Sequence, residues 1–191
     1  MNLNRGTTLW IFALLALLML STRFAHFFTL PDASWAVFFA AGFYCAGHSR
    51  WAFPLLMLEA VAIDFIVTRH LGISDYCITP AYAFLVPAHA ALWYGGVWLR
   101  RGYHHEPADL LRLVISAGLA VNFAYLLSNS SFYWLGGRIS APNWAQYLDN
   151  YARYYANFQI VPAGYLALIA LLHGVAAHYL PALRLPWVQK R

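Results

Sequence analysis

Six apolar runs dominate this chain, and the connections between them hold most of its charge. They cover about residues 7–28, 33–47, 51–68, 80–99, 108–127 and 157–180. A membrane-spanning helix needs about 20 mostly apolar residues. Of the 191 residues, 62% are hydrophobic and 10% charged. A soluble domain has roughly 45–50% apolar and about 25% charged residues. A soluble globule of this length could not enclose that much apolar surface. The composition therefore excludes a cytosolic enzyme, a disordered tail, a collagen and a disulfide scaffold. The expected fold is one all-α membrane domain over residues 1–191, with six transmembrane helices and both termini on one side. Arg5 gives the first run the basic start of a secretory signal. No small-x-small cleavage site follows and further apolar runs come after it, so a retained helix is expected.

The net charge is +5, from 12 Lys and Arg against 7 Asp and Glu. The basic residues stand singly in short connections, which argues for orientation in a membrane rather than nucleic-acid binding. Seven of them, Arg5, Arg50, Arg100, Arg101, Arg184, Lys190 and Arg191, fall on the side of the termini. Four, Arg23, Arg69, Arg138 and Arg153, fall on the other. The positive-inside rule then places both termini in the cytoplasm. Trp10, Trp35, Trp51, Trp98 and Trp187 lie at expected span ends, where indole is favoured. The connections at Leu30-Pro31, at Cys77 and over 128–156 are then outward-facing. They are the elaborate ones, and loops are where function concentrates.

Cys77 lies in the outward connection Asp75-Tyr76-Cys77-Ile78-Thr79-Pro80. The other cysteine, Cys45, falls at the opposite end of the second run, so the two are not expected to pair. A free outward thiol is either a packed small hydrophobe or a soft ligand and nucleophile. Glu59 and Asp64 are charged residues inside the third run, costing about 2.5–3.5 kcal/mol each if they faced lipid. Asp64, near the outer end, could meet a polar ligand group, or cap its helix, or pair with Arg69. His89, Asn122 and His173 are single polar residues in the last three runs, expected to hydrogen-bond between helices. Tyr147, Tyr151, Tyr154 and Tyr155 recur at helical spacing after Trp144, across a Gly136-Gly137 hinge from Phe132, Tyr133 and Trp134. This stripe is either an interfacial helix or a lid over a large flat ligand. His104-His105-Glu106 reads as a solvated loop, because adjacent residues rarely converge on one ion. Asn129-Ser130-Ser131 matches a glycosylation sequon, a weak signal. No Walker motif, Gly-rich dinucleotide loop or HExxH occurs.

Six short spans, cytoplasmic termini and elaborate outward loops resemble the vitamin-binding S-components of energy-coupling factor transporters. The segment from Asp64 through Asp75-Tyr76-Cys77-Ile78-Thr79-Pro80-Ala81-Tyr82 is similar to that of the BtuM family, the cobalamin-specific S-components of Gram-negative bacteria. The resemblance implies vitamin B12 uptake across the bacterial inner membrane, with Cys77 an axial ligand of the corrinoid cobalt. It implies that Asp64 and Tyr82 accompany it; Asp75 and Tyr76 beside it, and Tyr147, Tyr151 and Tyr154 if the stripe is a lid, are the further expected contacts. Cobalamin enters as transported ligand, and the chain is then no enzyme, apart from a secondary decyanation of cyanocobalamin that a thiolate donor could promote. Many S-components carry Ala-x-x-x-Ala in the first helix, where they dock on a coupling module. Here that helix has Ala13 and Ala16, and the spacing occurs at Ala36 and Ala40 instead. A solitary mode of transport is consistent with this departure. Two other classes stay open: a membrane cysteine transpeptidase or protease with Cys77 as nucleophile, near His70 and Arg69, and an ion-coupled carrier using Glu59 and His89.

Overall fold

Helices account for nearly all of the computed structural model, which describes residues 5–24, 30–70 and 79–179. Six α-helices follow in order: α1 Arg5–Phe24, α2 Ser34–Tyr44, α3 Ser49–His70, α4 Leu85–Gly102, α5 Ala108–Leu135 and α6 Trp144–Tyr179. Short 3-10 turns, Ala46–His48 and Pro80–Phe84, lead into α3 and α4. Among the described residues, four stretches are long and apolar enough to cross a membrane: Arg5–Phe24, Ala46–His70, Ala108–Leu135 and Trp144–Tyr179. Their outward faces carry exposed leucines such as Leu14, Leu58, Leu119 and Leu171. In water this would be a liability; in lipid it is the solvated surface.

The short helix α2 is apolar on every side, and Ala36 through Phe43 are all buried. A helix hydrophobic all round belongs in the middle of a bundle, and α2 packs against α1, α3, α4 and α6. Its tightest seam is with α4. A Cβ at Gly42 would run into the carbonyl oxygen of Trp93, and one at Gly96 into that of Phe39. The two backbones therefore touch directly, the close approach that small residues permit between membrane helices. Ala36 and Ala40 are spent in this core, at 0% and 3% exposure. Their Ala-x-x-x-Ala spacing faces the bundle and is closed to a partner protein. Ala13 on α1 is exposed.

The segment 128–156, expected as an outward loop, is mostly helix. The α5 helix continues to Leu135, α6 begins at Trp144, and the connection is 136–143. The 36 residues of α6 make about 54 Å and the 28 of α5 about 42 Å, against a hydrocarbon core of roughly 30 Å. Polar residues in 128–156 therefore mark helix turns too far along to lie in lipid. Those turns are held by bonds between the two helices. The Ser130 and Tyr147 hydroxyls meet at 2.7 Å, and Tyr125 donates to the Tyr151 carbonyl at 2.6 Å. Buried Tyr133 closes the tip, donating to the Asn143 carbonyl and accepting from its N–H. Gly136 caps α5 on the Phe132 carbonyl, and Gly137 takes a left-handed φ of 66°.

Candidate ligand-binding site

The helices alternate in direction, so the ends of α1, α3 and α5 meet the starts of α2 and α6 at one pole. There the turn Pro80–Phe84 and the ends of the long helices surround a cavity of about 410 Å³. That lies within the roughly 300–1,000 Å³ of ordinary ligand pockets.

Its floor is ionic. Arg23, at the end of α1, grips Asp64 of α3 through two bonds of 2.6 Å, from Nε to Oδ1 and from Nη2 to Oδ2. Its third nitrogen, Nη1, donates to Asp32 at 3.0 Å and to Ser34 Oγ at 2.9 Å. Asp32 Oδ1 accepts from the Ser34 N–H at 2.9 Å, which places a carboxylate at the start of α2. That is where the helix dipole favours one. Tyr82 donates to Asp64 Oδ2 at 2.7 Å and so brings the turn before α4 onto the same carboxylate. Two carboxylates share one guanidinium, and the cluster sums to one negative charge. The arrangement tethers four chain segments and presents polar groups to the cavity.

The walls are aromatic and amide. Tyr125, Phe132, Tyr154 and Phe158 supply ring surface, and Asn129 and Asn150 supply amides. Asn129 donates to the Tyr125 hydroxyl at 3.3 Å, while its Oδ1 is buried with no partner among the described residues. Thr79 Oγ1, just before the turn, is likewise buried and unpartnered among them. A polar atom left unpaired away from water costs about 1–3 kcal/mol, so the Asn129 oxygen calls for a donor, and the Thr79 hydroxyl for a donor or an acceptor, from outside the described residues.

Asp64 and Tyr82, expected together from the sequence, are in direct contact. The partner of Asp64 is Arg23 rather than Arg69, because Arg23 ends its helix beside the same turn. Of the tyrosine stripe, Tyr154 lines the cavity. Tyr147 is buried against Tyr133 and Trp134, and Tyr151 packs on Tyr125 at 4.5 Å between ring centroids. These two differ from the expected lid because α5 runs on beside them and takes up their faces. Asp75, Tyr76 and Cys77 lie outside the described residues. Arg23, Asp32, Asn129 and Phe158 are additions from the structure.

Among the single polar residues, Asn122 bridges α5 to α6, accepting from the Tyr155 hydroxyl at 2.8 Å. His89 is fully buried and bonds the Leu85 carbonyl of its own helix at 2.8 Å, with Nε2 unpartnered among the described residues. Glu59 is half-buried on α3. At the opposite pole, His173 takes both ring nitrogens to tyrosine hydroxyls, Tyr44 at 2.9 Å and Tyr103 at 3.0 Å. Burial, and then the Asp109 carboxylate, pushes the Tyr103 phenol above its ordinary value. His105 stacks on His173, and the N–H groups of His104 and Glu106 both donate to Asp109. The His104-His105-Glu106 stretch is thus a capped turn into α5. Cys45 is buried at the same pole, far along α2 from Asp32. Among the described residues no three His, Cys, Asp or Glu side chains gather as a metal site.

No family model matches the chain, and no curated protein is significantly similar to it.

Proposed function

We propose that this protein binds cobalamin in the cavity over Arg23, Asp64 and Tyr82 and carries it across the bacterial inner membrane, with the sulfur of Cys77 as axial ligand of the cobalt. All six helices then belong to the membrane domain, both termini are cytoplasmic, and the cavity faces outward. The observation that carries the reading is the lining itself: aromatic faces, an ionic floor and the Asn129 and Asn150 amides in one cavity. Cobalamin is large, flat and amphipathic. Its ring suits aromatic walls, and its peripheral carboxamides suit the Asn129 and Asn150 amides of the lining. Cys77 is five residues before Tyr82, so the covalent chain keeps its backbone within about 18 Å of that residue. Thiolate ligation requires loss of the thiol proton, which the metal drives. The burial of Ala36 and Ala40 in the core favours transport without a coupling module docked on that spacing.

The test is the visible absorption spectrum of protein purified after incubation with cobalamin. Co-purified corrinoid bands are expected, altered by Cys77→Ser and unaltered by Cys45→Ser. Protein that retains no corrinoid after incubation would sink the ligand assignment. Retained corrinoid with an identical spectrum in Cys77→Ser would sink the cobalt–sulfur bond alone.

A further inference from the structure

Below the Asn122–Gln159 contact, α5 and α6 draw apart. The space between them is a groove of about 570 Å³ floored by Ala117, Gly118, Val121, Ala163 and Ala167. Towards the pole opposite the vitamin cavity it runs into a second hollow of about 200 Å³, and the two share Leu110, Leu113, Leu166 and Ala170. The groove is wholly aliphatic apart from Gln159 at its inner end. The hollow ends in rings and polar groups: Phe43, Tyr44, Tyr103, His173, Glu106 and Asp109.

Three features specify an occupant. The first is length. Residues 110 to 121 cover about 16 Å of helix at 1.5 Å each, close to half of the roughly 30 Å hydrocarbon core. The groove is therefore one leaflet deep. It starts at the beginning of α5, where the chain leaves the polar turn at 103–107. The second is charge. Asp109 is already taken by two backbone N–H groups and by Arg112 at 2.6 Å, and His173 by two hydroxyls. The exposed Glu106 carboxylate makes no ion pair among the described residues. Beside it stand the rings of Phe43, Tyr44 and Tyr103, and ring faces attract ammonium groups. The third is space. A Cβ at Gly118 in the groove, or at Gly174 in the hollow, would meet nothing within 4 Å. Glycine weakens a helix interior, and no contact within the chain requires it at either position.

We propose that this groove holds one acyl chain of a membrane lipid whose headgroup carries an ammonium, as in phosphatidylethanolamine, with that ammonium at Glu106. The site is separate from the vitamin cavity and does not rest on the transport reading. A transmembrane helix of a second copy would fit the small-residue floor, but it has no use for the carboxylate and rings at the groove's end.

The test is native mass spectrometry of the detergent-purified protein after addition of phosphatidylethanolamine or phosphatidylglycerol with the same chains. Wild type should retain one phosphatidylethanolamine at least five times more than phosphatidylglycerol. Glu106→Gln should lose that preference while keeping the chain bound. Gly118→Leu should fill the groove and lose both lipids with its melting temperature unchanged or raised. Gly174→Leu, at the other end, serves if that variant does not fold. Equal retention of the two lipids by wild type, or undiminished retention by the leucine variants, overturns the proposal. So does a wild-type dimer that Gly118→Leu converts to a lipid-free monomer.

Discussion

Arg23 and Asp64 face each other as a two-pronged ion pair, with both nitrogen–oxygen distances at 2.6 Å. The pair joins the end of α1 to the last turns of α3, and Tyr82 adds the turn before α4 to the same carboxylate. The polar floor of the cavity is therefore also its main cross-brace, so the groups that would meet a ligand hold the helix ends apart at a fixed spacing.

Removing one member of the pair should cost stability. The side chains are 13% and 22% exposed, so Arg23→Met, which strands both Asp64 and Asp32, is expected to lose about 2–3 kcal/mol, the lower side of the cost of stranding a buried charge, and Asp64→Asn less, because Arg23 keeps Asp32. For a chain of this size the Arg23→Met loss lowers the melting temperature by roughly 5–10 °C. The double variant Arg23→Met with Asp64→Leu should recover only part of the loss, because Asp32 is then left without its Arg23 partner. Thermal unfolding in detergent decides it, and single variants that melt like wild type would show the pair to be idle.

The α2–α4 seam should tolerate no added carbon. Gly42→Ala or Gly96→Ala puts a methyl group into a carbonyl of the facing helix, and overpacking of this kind costs about 1–3 kcal/mol. Gly164→Ala meets nothing within 4 Å and should be neutral or stabilising. Three melting curves give the ordering, and equal behaviour of Gly42→Ala and Gly164→Ala would contradict the direct backbone contact.

The tyrosines should divide by whether α5 covers them or the cavity does, since Tyr147 and Tyr154, seven residues apart, share one side of α6. Tyr154 lines the cavity and is 46% exposed. Tyr154→Ala is expected to weaken corrinoid binding by about 2–10-fold, the worth of one ring contact, without changing the melting temperature. Tyr147 is buried on Ser130. Tyr147→Phe should cost about 1 kcal/mol of stability and leave affinity alone. Equilibrium titration and unfolding, run on both variants, would expose any exchange of these roles.

The membrane-helix architecture was legible because hydropathy reports directly on which residues lipid accepts. Asp64 was legible as a charge inside an apolar run, and Tyr82 only through the family resemblance; the structure shows the two in contact. Arg23 was not. In the sequence it is one more basic residue at a span end, and nothing local marks the turn of α3 it would meet 41 positions away. Asn129 hid inside a sequon for the same reason. The ends of α5 and α6 were misread as loop because hydropathy falls where a helix leaves the bilayer, whether or not the helix stops. Here it does not stop: Tyr125, Tyr133 and Tyr147 bond across the pair and carry both helices past the membrane.

Orientation is the remaining prediction, and the two cysteines test it. Seven basic residues at the side of the termini against four at the other predict that the cavity over Arg23 and Asp64 faces outward. Cys77 belongs to the connection at that pole. Cys45 stands at the other end of α2 with 0% exposure. A membrane-impermeant maleimide added to intact spheroplasts should label a Cys77-only variant, and cobalamin should protect it if the sulfur binds cobalt. A Cys45-only variant should stay unlabelled in spheroplasts and, because it is buried, in opened membranes too, reacting only after denaturation. Cys77 labelled only after the membranes are opened would reverse the orientation and put the cavity in the cytoplasm. Outward labelling with no protection by cobalamin would keep the topology and remove the sulfur from the cobalt.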